Sequence, residues 1–285
     1  MLIDSVWAAA PLTAALPYAG QRLVLLLREQ LVHLCVHQST LLVSGIGPYM
    51  LMDTTEFLYD LPSELVRLAK KLGVNTIEIT VPPAIYSLAG HTLKSLLKSQ
   101  DFECVYNDPH YVIQVDTVNL SSKLPSDQKH AVKRGHQVYT VEHNLAFLTQ
   151  AEYNLITASR TDKSNYPPPP IEALQKQFYR VSAHYLKWLC YRQNELVGCL
   201  WAIKSNASTV QALYMATSAA GKNPSANLLL IEAMYAWAQQ NQFSFLDLGT
   251  ASSKGVVIEG LKAFKQSLTA LPFDKYTLGL SIAKK

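Results

Sequence analysis

The chain has 285 residues, 49% of them hydrophobic and only 16% charged, which is enough for two ordinary domains with substantial cores. Its formal net charge of +4 is too small to argue for nucleic-acid binding by itself. The 14 basic and 9 acidic side chains of residues 137–285 give that part a surplus that suits an anionic cofactor. From the N-terminus, residues 20–52 are apolar and β-leaning, with a bend at Gly45, Gly47 and Pro48. A helix follows over Pro62–Leu72, stopped by Gly73, with Leu65, Leu68, Ala69 and Leu72 on one face. TIEITV alternates as a strand, Ser87–Ser99 carries a helical stripe, and FECVYN and HYVIQVD read as strands. The fold class expected is α/β, mixed and with α+β character.

Residues 119–136 are polar and basic and form the candidate domain boundary, giving domains 1–136 and 137–285. Gln137–Glu142 reads as a strand, and helices are expected around Leu145–Ser159 and Ile171–Val181. Pro167 to Pro170 stiffen the link between them. AHYLKWLCYR, ELVGCLWAI and TVQALYMATSA read as three successive antiparallel strands. Asn223–Gln240 is a long helix with Pro224 in its first turn, followed by the strand FSFLDLGT, a helix over Glu259–Leu268 and the strand KYTLGLSI. That last strand is a candidate for sharing between the domains.

Cys35, Cys104, Cys190 and Cys199 fit neither a redox pair nor a zinc knuckle, and the eight histidines show no metal-ligand spacing. No run approaches 18 apolar residues, and MLIDSVWAAAPL makes a poor signal peptide. The expectation is a cytoplasmic protein with reduced cysteines, no metal and no integral membrane segment.

In residues 137–285 the element order resembles the GNAT acyltransferase fold. KLPSDQKHAVKRG resembles the segment leading into the second domain of FemABX-like transferases, and NELVGCL resembles that family's glycine-bearing hairpin. NPSANLLLIEAMYAWAQQNQFSFLDLGT looks like its central helix and following strand, and GLKAFKQSL like its short glycine-leucine, phenylalanine-lysine motif. The resemblance covers residues 120–280 and reaches 1–119 only in broad character. It implies two tandem GNAT-like domains, each a mixed central sheet flanked by helices. Two departures stand out. Ser267-Leu268-Thr269-Ala270 replaces the family's aromatic-glycine pair, and the loop Thr217–Asn223 carries a single glycine. The long helical arm of some tRNA-using members is also missing.

The resemblance implies an N-acyltransferase with acyl-CoA as donor substrate and no tightly bound cofactor. The acceptor would be a small-molecule, lipid-linked or saccharide amine. Aminoacyl-tRNA-dependent transfer to a cell-wall precursor and a non-catalytic binding module are the alternatives. A loop entering a helix offers free N–H groups to an anion. Met215, Thr217, Gly221, Lys222, Asn223 and Ser225 are therefore the candidate donor-binding residues, with helix capping as the competing use of Asn223. Acyl transfer needs an amine held near the carbonyl and a route for its proton. Asp247 is the candidate amine-orienting group or base, and Tyr214 the candidate donor to the leaving group. Lys254, Lys262 and Lys265 are the candidate substrate-binding cations, Lys262 and Lys265 being three apart on one helix.

Overall fold

The computed structural model describes residues 2–3, 21–27, 30–43, 56–86, 89–144, 147–161, 168–180, 182–223 and 225–282. The expected bend at 45–48 and Pro224 lie outside the described residues. In chain order the elements begin β1 (Leu2–Ile3), β2 (Gln21–Leu27), β3 (Gln30–His37), β4 (Thr40–Val43), α1 (Glu56–Leu72), β5 (Thr76–Thr80), α2 (Ala89–Lys98) and β6 (Glu103–Asn107). There follow β7 (His110–Gln114), α3 (Leu120–Lys123), α4 (Ser126–Val138), β8 (Thr140–His143), α5 (Gln150–Thr161), α6 (Ile171–Arg180), β9 (Tyr185–Arg192), β10 (Glu195–Lys204) and β11 (Thr209–Thr217). A 3-10 turn at Ala219–Gly221 leads into α7 (Ala226–Gln240), and then come β12 (Phe245–Thr250), β13 (Ser252–Ser253), β14 (Val256–Val257), α8 (Glu259–Ser267), β15 (Leu271–Phe273) and β16 (Tyr276–Ser281).

The chain forms two compact units. One comprises Met1–His110, Thr250–Ile258 and Phe273–Lys285; the other comprises Tyr111–Gly249 and Glu259–Pro272. The second unit thus takes in residues 119–136, which the sequence assigns to the first domain.

The sheet of the first unit runs β1-β2-β3-β4-β5-β16-β6. β4 and β5 pair in parallel, the crossover between them containing α1, and the last strand of the chain lies between β5 and β6. Leu58, Leu61, Leu65 and Leu68 recur at helical spacing and are all buried against Ile77, Ile79 and Leu278. The same stripe carries α1 beyond its expected start. Pro62 lies inside the helix, where it costs one backbone bond, and the burial of Leu58 and Leu61 holds the preceding turn.

The sheet of the second unit runs β15-β7-β12-β11-β10-β9-β8. β8, β9, β10 and β11 are successively antiparallel, and β11 and β12 are parallel. The stretch 119–136 is largely helical, as α3 and α4. A Cβ on Gly135 would stand 2.9 Å from Leu229 Cδ1, so the glycine is what lets α4 lie close on α7. Within α7 eight residues are buried, among them Leu229, Leu230, Ile231 and Met234, a pattern too broad for a helix lying on the surface.

Candidate active site at the end of β11 and β12

β11 is nine residues long, but its parallel pairing with β12 covers only Thr209, Val210 and Gln211 against Phe245, Leu246 and Asp247. Beyond that point the two strands part. Ala212 and Tyr214–Thr217 keep their ladder to β10, with Leu213 bulged out of it, and none of residues 212–217 has a register partner on β12. A strand edge left this way presents N–H and C=O groups to an extended, amide-bearing ligand. The edge runs straight into the 3-10 turn and the start of α7.

That helix start is open. Ser225 is its N-cap and makes no side-chain capping bond, so the first N–H groups of α7 remain available to an anion. Two buried polar atoms nearby in sequence, Ser218 Oγ and Asn227 Oδ1, have no hydrogen-bond partner, and a buried polar atom without one asks for a ligand or water. Lys222 and Asn223 are exposed on the loop. Gly221 is buried, and a Cβ there would meet the Val197 carbonyl oxygen at 2.5 Å. Its role is the close approach of this turn to β10. The Tyr139 hydroxyl ties down the same turn by donating to Ala220 O at 2.8 Å.

Tyr214 stands opposite Trp201 across the β10–β11 ladder, edge-to-face at 5.5 Å. The guanidinium of Arg160, from the last turn of α5, lies 4.6 Å from its ring centroid. Burial pushes the Tyr214 hydroxyl above its ordinary pKa, while Arg160 pulls the other way. Met215 and Thr217, on the same strand, pair with Leu200 and Gly198.

Asp247 is fully buried in β12. Its Oδ1 accepts from the Gly249 N–H at 2.6 Å, and Gly249 adopts φ +74°. The carboxylate therefore fixes the turn by which β12 leaves the sheet. Lys265, on α8, is 5% exposed and donates from Nζ to Gly249 O at 2.9 Å. Burial pulls its pKa down to about 8, and the negative charge of Asp247 partly opposes that fall. The structure thus brings Asp247 and Lys265 together at the end of β12. Lys262 is separate: it is partly exposed and lies 3.8 Å from Glu259 on its own helix. Lys254 belongs to the first unit, exposed in the turn between β13 and β14, where Asp108 accepts from the N–H groups of Lys254 and Gly255.

Sequence reasoning did not single out Ser218, Asn227 or Arg160. Asn227 carried a weak signal as an amide at the start of an otherwise apolar helix. The other two depend on contacts between distant elements.

No family model matches this sequence, and neither does any curated protein. The structure is similar to the C-terminal domain of a putative lysylphosphatidylglycerol synthetase from Agrobacterium fabrum, with TM-score 0.66 and 12% identity, over 91% of this chain and 84% of that one. It is similar to FemX, with TM-score 0.63 and 11% identity, over 91% and 88%. A tandem GNAT protein from the clavulanic acid biosynthesis pathway matches at 0.55 and 11%, over 96% and 88%. The chain has the FemX-like, tandem-GNAT fold. These likenesses in fold span more than nine-tenths of the chain and so reach beyond residues 120–280, into the part where sequence offered only general character. No described helix is long and apolar enough to cross a membrane.

Proposed function

We propose that the protein transfers an acyl or aminoacyl group to an amine, using the opening between β11 and β12 as its donor site. The observation that carries this reading is the three-residue pairing of those strands, which leaves the β11 edge free just before an uncapped helix start. The donor we favour is acyl-CoA. Its pantetheine arm has amides to match the strand edge, and its pyrophosphate matches the N-terminus of α7 with Lys222 beside it. In this reading Asp247 and Lys265 serve the proton of the acceptor amine. Lys265, with a pKa of about 8, is close to releasing its own proton at neutral pH. The acceptor is an amine on a small molecule, lipid or saccharide unit. Aminoacyl transfer is the second reading, favoured by the higher structural similarity to FemX and to a domain named for a lysyl-lipid product.

Calorimetry with acetyl-CoA, a longer acyl-CoA and aminoacyl-tRNA separates these donors. If acyl-CoA is the donor, it binds and Lys222→Ala weakens it by roughly 1–3 kcal/mol with the fold intact. Binding of aminoacyl-tRNA alone moves the assignment to the second reading. Folded protein that binds none of the three is a binding module that keeps this fold without its chemistry.

A further inference from the structure

The second unit carries an open surface groove of about 520 Å³ that shares no residue with the β11–β12 site; it is lined by Phe147, Glu172, Gln175, Lys176 and Tyr179. Phe147 and Tyr179 are 62% and 72% exposed. Their rings are stacked with centroids 6.2 Å apart and planes only 17° from parallel. Single exposed aromatics are ordinary, but a parallel pair over a groove needs an account.

The ledge under Phe147 is built with unusual care. Lys187 and Glu152 form an ion pair at 2.9 Å and are 3% and 1% exposed. Such a buried pair contributes little net stability. Here it fixes a loop: Lys187 Nζ also donates to Phe147 O at 3.1 Å, and the Thr149 hydroxyl donates to Glu152 Oε1 at 2.9 Å. From α6, Gln175 Nε2 donates to Leu148 O at 3.1 Å. The Phe147 backbone is thereby held while its ring stays in water, facing Tyr179.

A flat base between two rings needs about twice the stacking spacing of roughly 3.4 Å. The 6.2 Å between ring centroids is an upper bound on the gap between the planes, so a base enters only when the largely exposed Tyr179 ring swings outward. A saccharide ring is thicker and fits less well. The polar groups of the groove narrow the choice. The Glu172 carboxylate accepts only, which suits an exocyclic amine, and Lys176 supplies a positive charge for phosphate. A purine offers more stacking area than a pyrimidine.

We propose that Phe147 and Tyr179 clamp the base of an adenine nucleotide, with Glu172 accepting from its exocyclic amine and Lys176 facing its phosphate. The transfer reading enters only in naming the source, since an adenosine lies at one end of CoA and at the 3′ end of tRNA. The test is calorimetry on the full chain with AMP, adenosine, IMP, CMP and inorganic phosphate. AMP is expected to bind more tightly than CMP, IMP or phosphate. Phe147→Ala and Tyr179→Ala should each weaken AMP about tenfold, as loss of one stacking ring predicts. Lys176→Ala should weaken AMP and spare adenosine, and Glu172→Gln should narrow the gap between AMP and IMP. Both aromatic variants lie on the surface, and an unchanged melting temperature confirms that they fold. No AMP binding at millimolar concentration, AMP affinity unchanged in both aromatic variants, or phosphate binding as tightly as AMP would each overturn the proposal. Competition against AMP by CoA or by an RNA ending in CCA then identifies the source. CoA binding without AMP capture sinks the clamp and leaves the donor reading intact. AMP capture that neither competitor displaces supports the clamp as a separate adenine-nucleotide site, and the donor reading then stands or falls on the acyl-CoA and aminoacyl-tRNA calorimetry alone.

Discussion

Two lysines three residues apart on α8 show how position, rather than residue type, sets chemistry. Lys262 is partly exposed near Glu259, whereas Lys265 is turned inward onto the Gly249 carbonyl. Residues spaced i, i+3 sit about 60° apart around a helix, enough to put one amine in solvent and the other in the core. Burial lowers the folded-state pKa of Lys265 from its ordinary 10.5 to about 8. Between those values the unfolded chain keeps a proton that the folded chain has released, so stability rises with pH across the window. Below about pH 8 the amine is charged in both states and that gain is gone. Denaturant unfolding at about pH 7.5 and about pH 9.5 should show wild type gaining roughly 2 kcal/mol, a share of the full shift. Lys265→Met should abolish the gain. A wild-type profile as flat as that of the variant would mean that the amine reaches water.

At the scale of elements, the departure of β12 from β11 opens the proposed site, and Asp247 is the last paired residue before it. Its bond to the Gly249 N–H already gives it a structural task. The proposed second task, holding the acceptor amine or accepting its proton, is separable by Asp247→Asn, which keeps an oxygen for the turn. Turnover roughly 10²-fold lower with unchanged donor affinity is the expected result. Full turnover with a lowered melting temperature would leave Asp247 as a cap alone. Much of this region is legible from pattern. β9, β10, β11, β12, α7 and α8 follow from their apolar runs and turn residues, which are local signals. What the sequence does not show is non-local. α7 starts three residues later than expected, and the 3-10 turn before it, Ala219–Gly221, packs so closely on Val197 that only glycine fits at 221. The strands β13, β14 and β15 have two or three residues each, too few for a period to appear. Arg160 over Tyr214 joins residues 54 positions apart, and nothing local marks either as a partner of the other.

For the whole molecule, the first sheet is completed by the end of the chain. That sheet ends β5-β16-β6 and the second ends β12-β7-β15. In the first, the strand beside the parallel-paired β5 is β16, from the C-terminus; in the second, the strand beside β12 is β7, from residues 110–114 at the start of that unit. The short connections 108–109 and 274–275 link the strands of one sheet to those of the other. No periodicity announces this, since an inserted strand has the same alternation as any other. Its energetic consequence is specific. β16 has five register partners on β5 and four on β6, and its Leu278 is fully buried among Ile77, Ile79 and Leu97. Asp108, in turn, holds the β13–β14 turn through Ser252 Oγ and two N–H groups. A fragment of residues 1–110 lacks both pieces, leaving two open strand edges and an apolar slot between them. Expressed alone, it should show no cooperative thermal transition and should bind a hydrophobic dye. Co-expression with residues 250–285 should restore part of the transition, because that piece supplies both β16 and the turn held by Asp108. A sharp, reversible melt of 1–110 by itself would show that β16 is an addition to an already stable sheet, and that the return of the chain's end contributes little to folding.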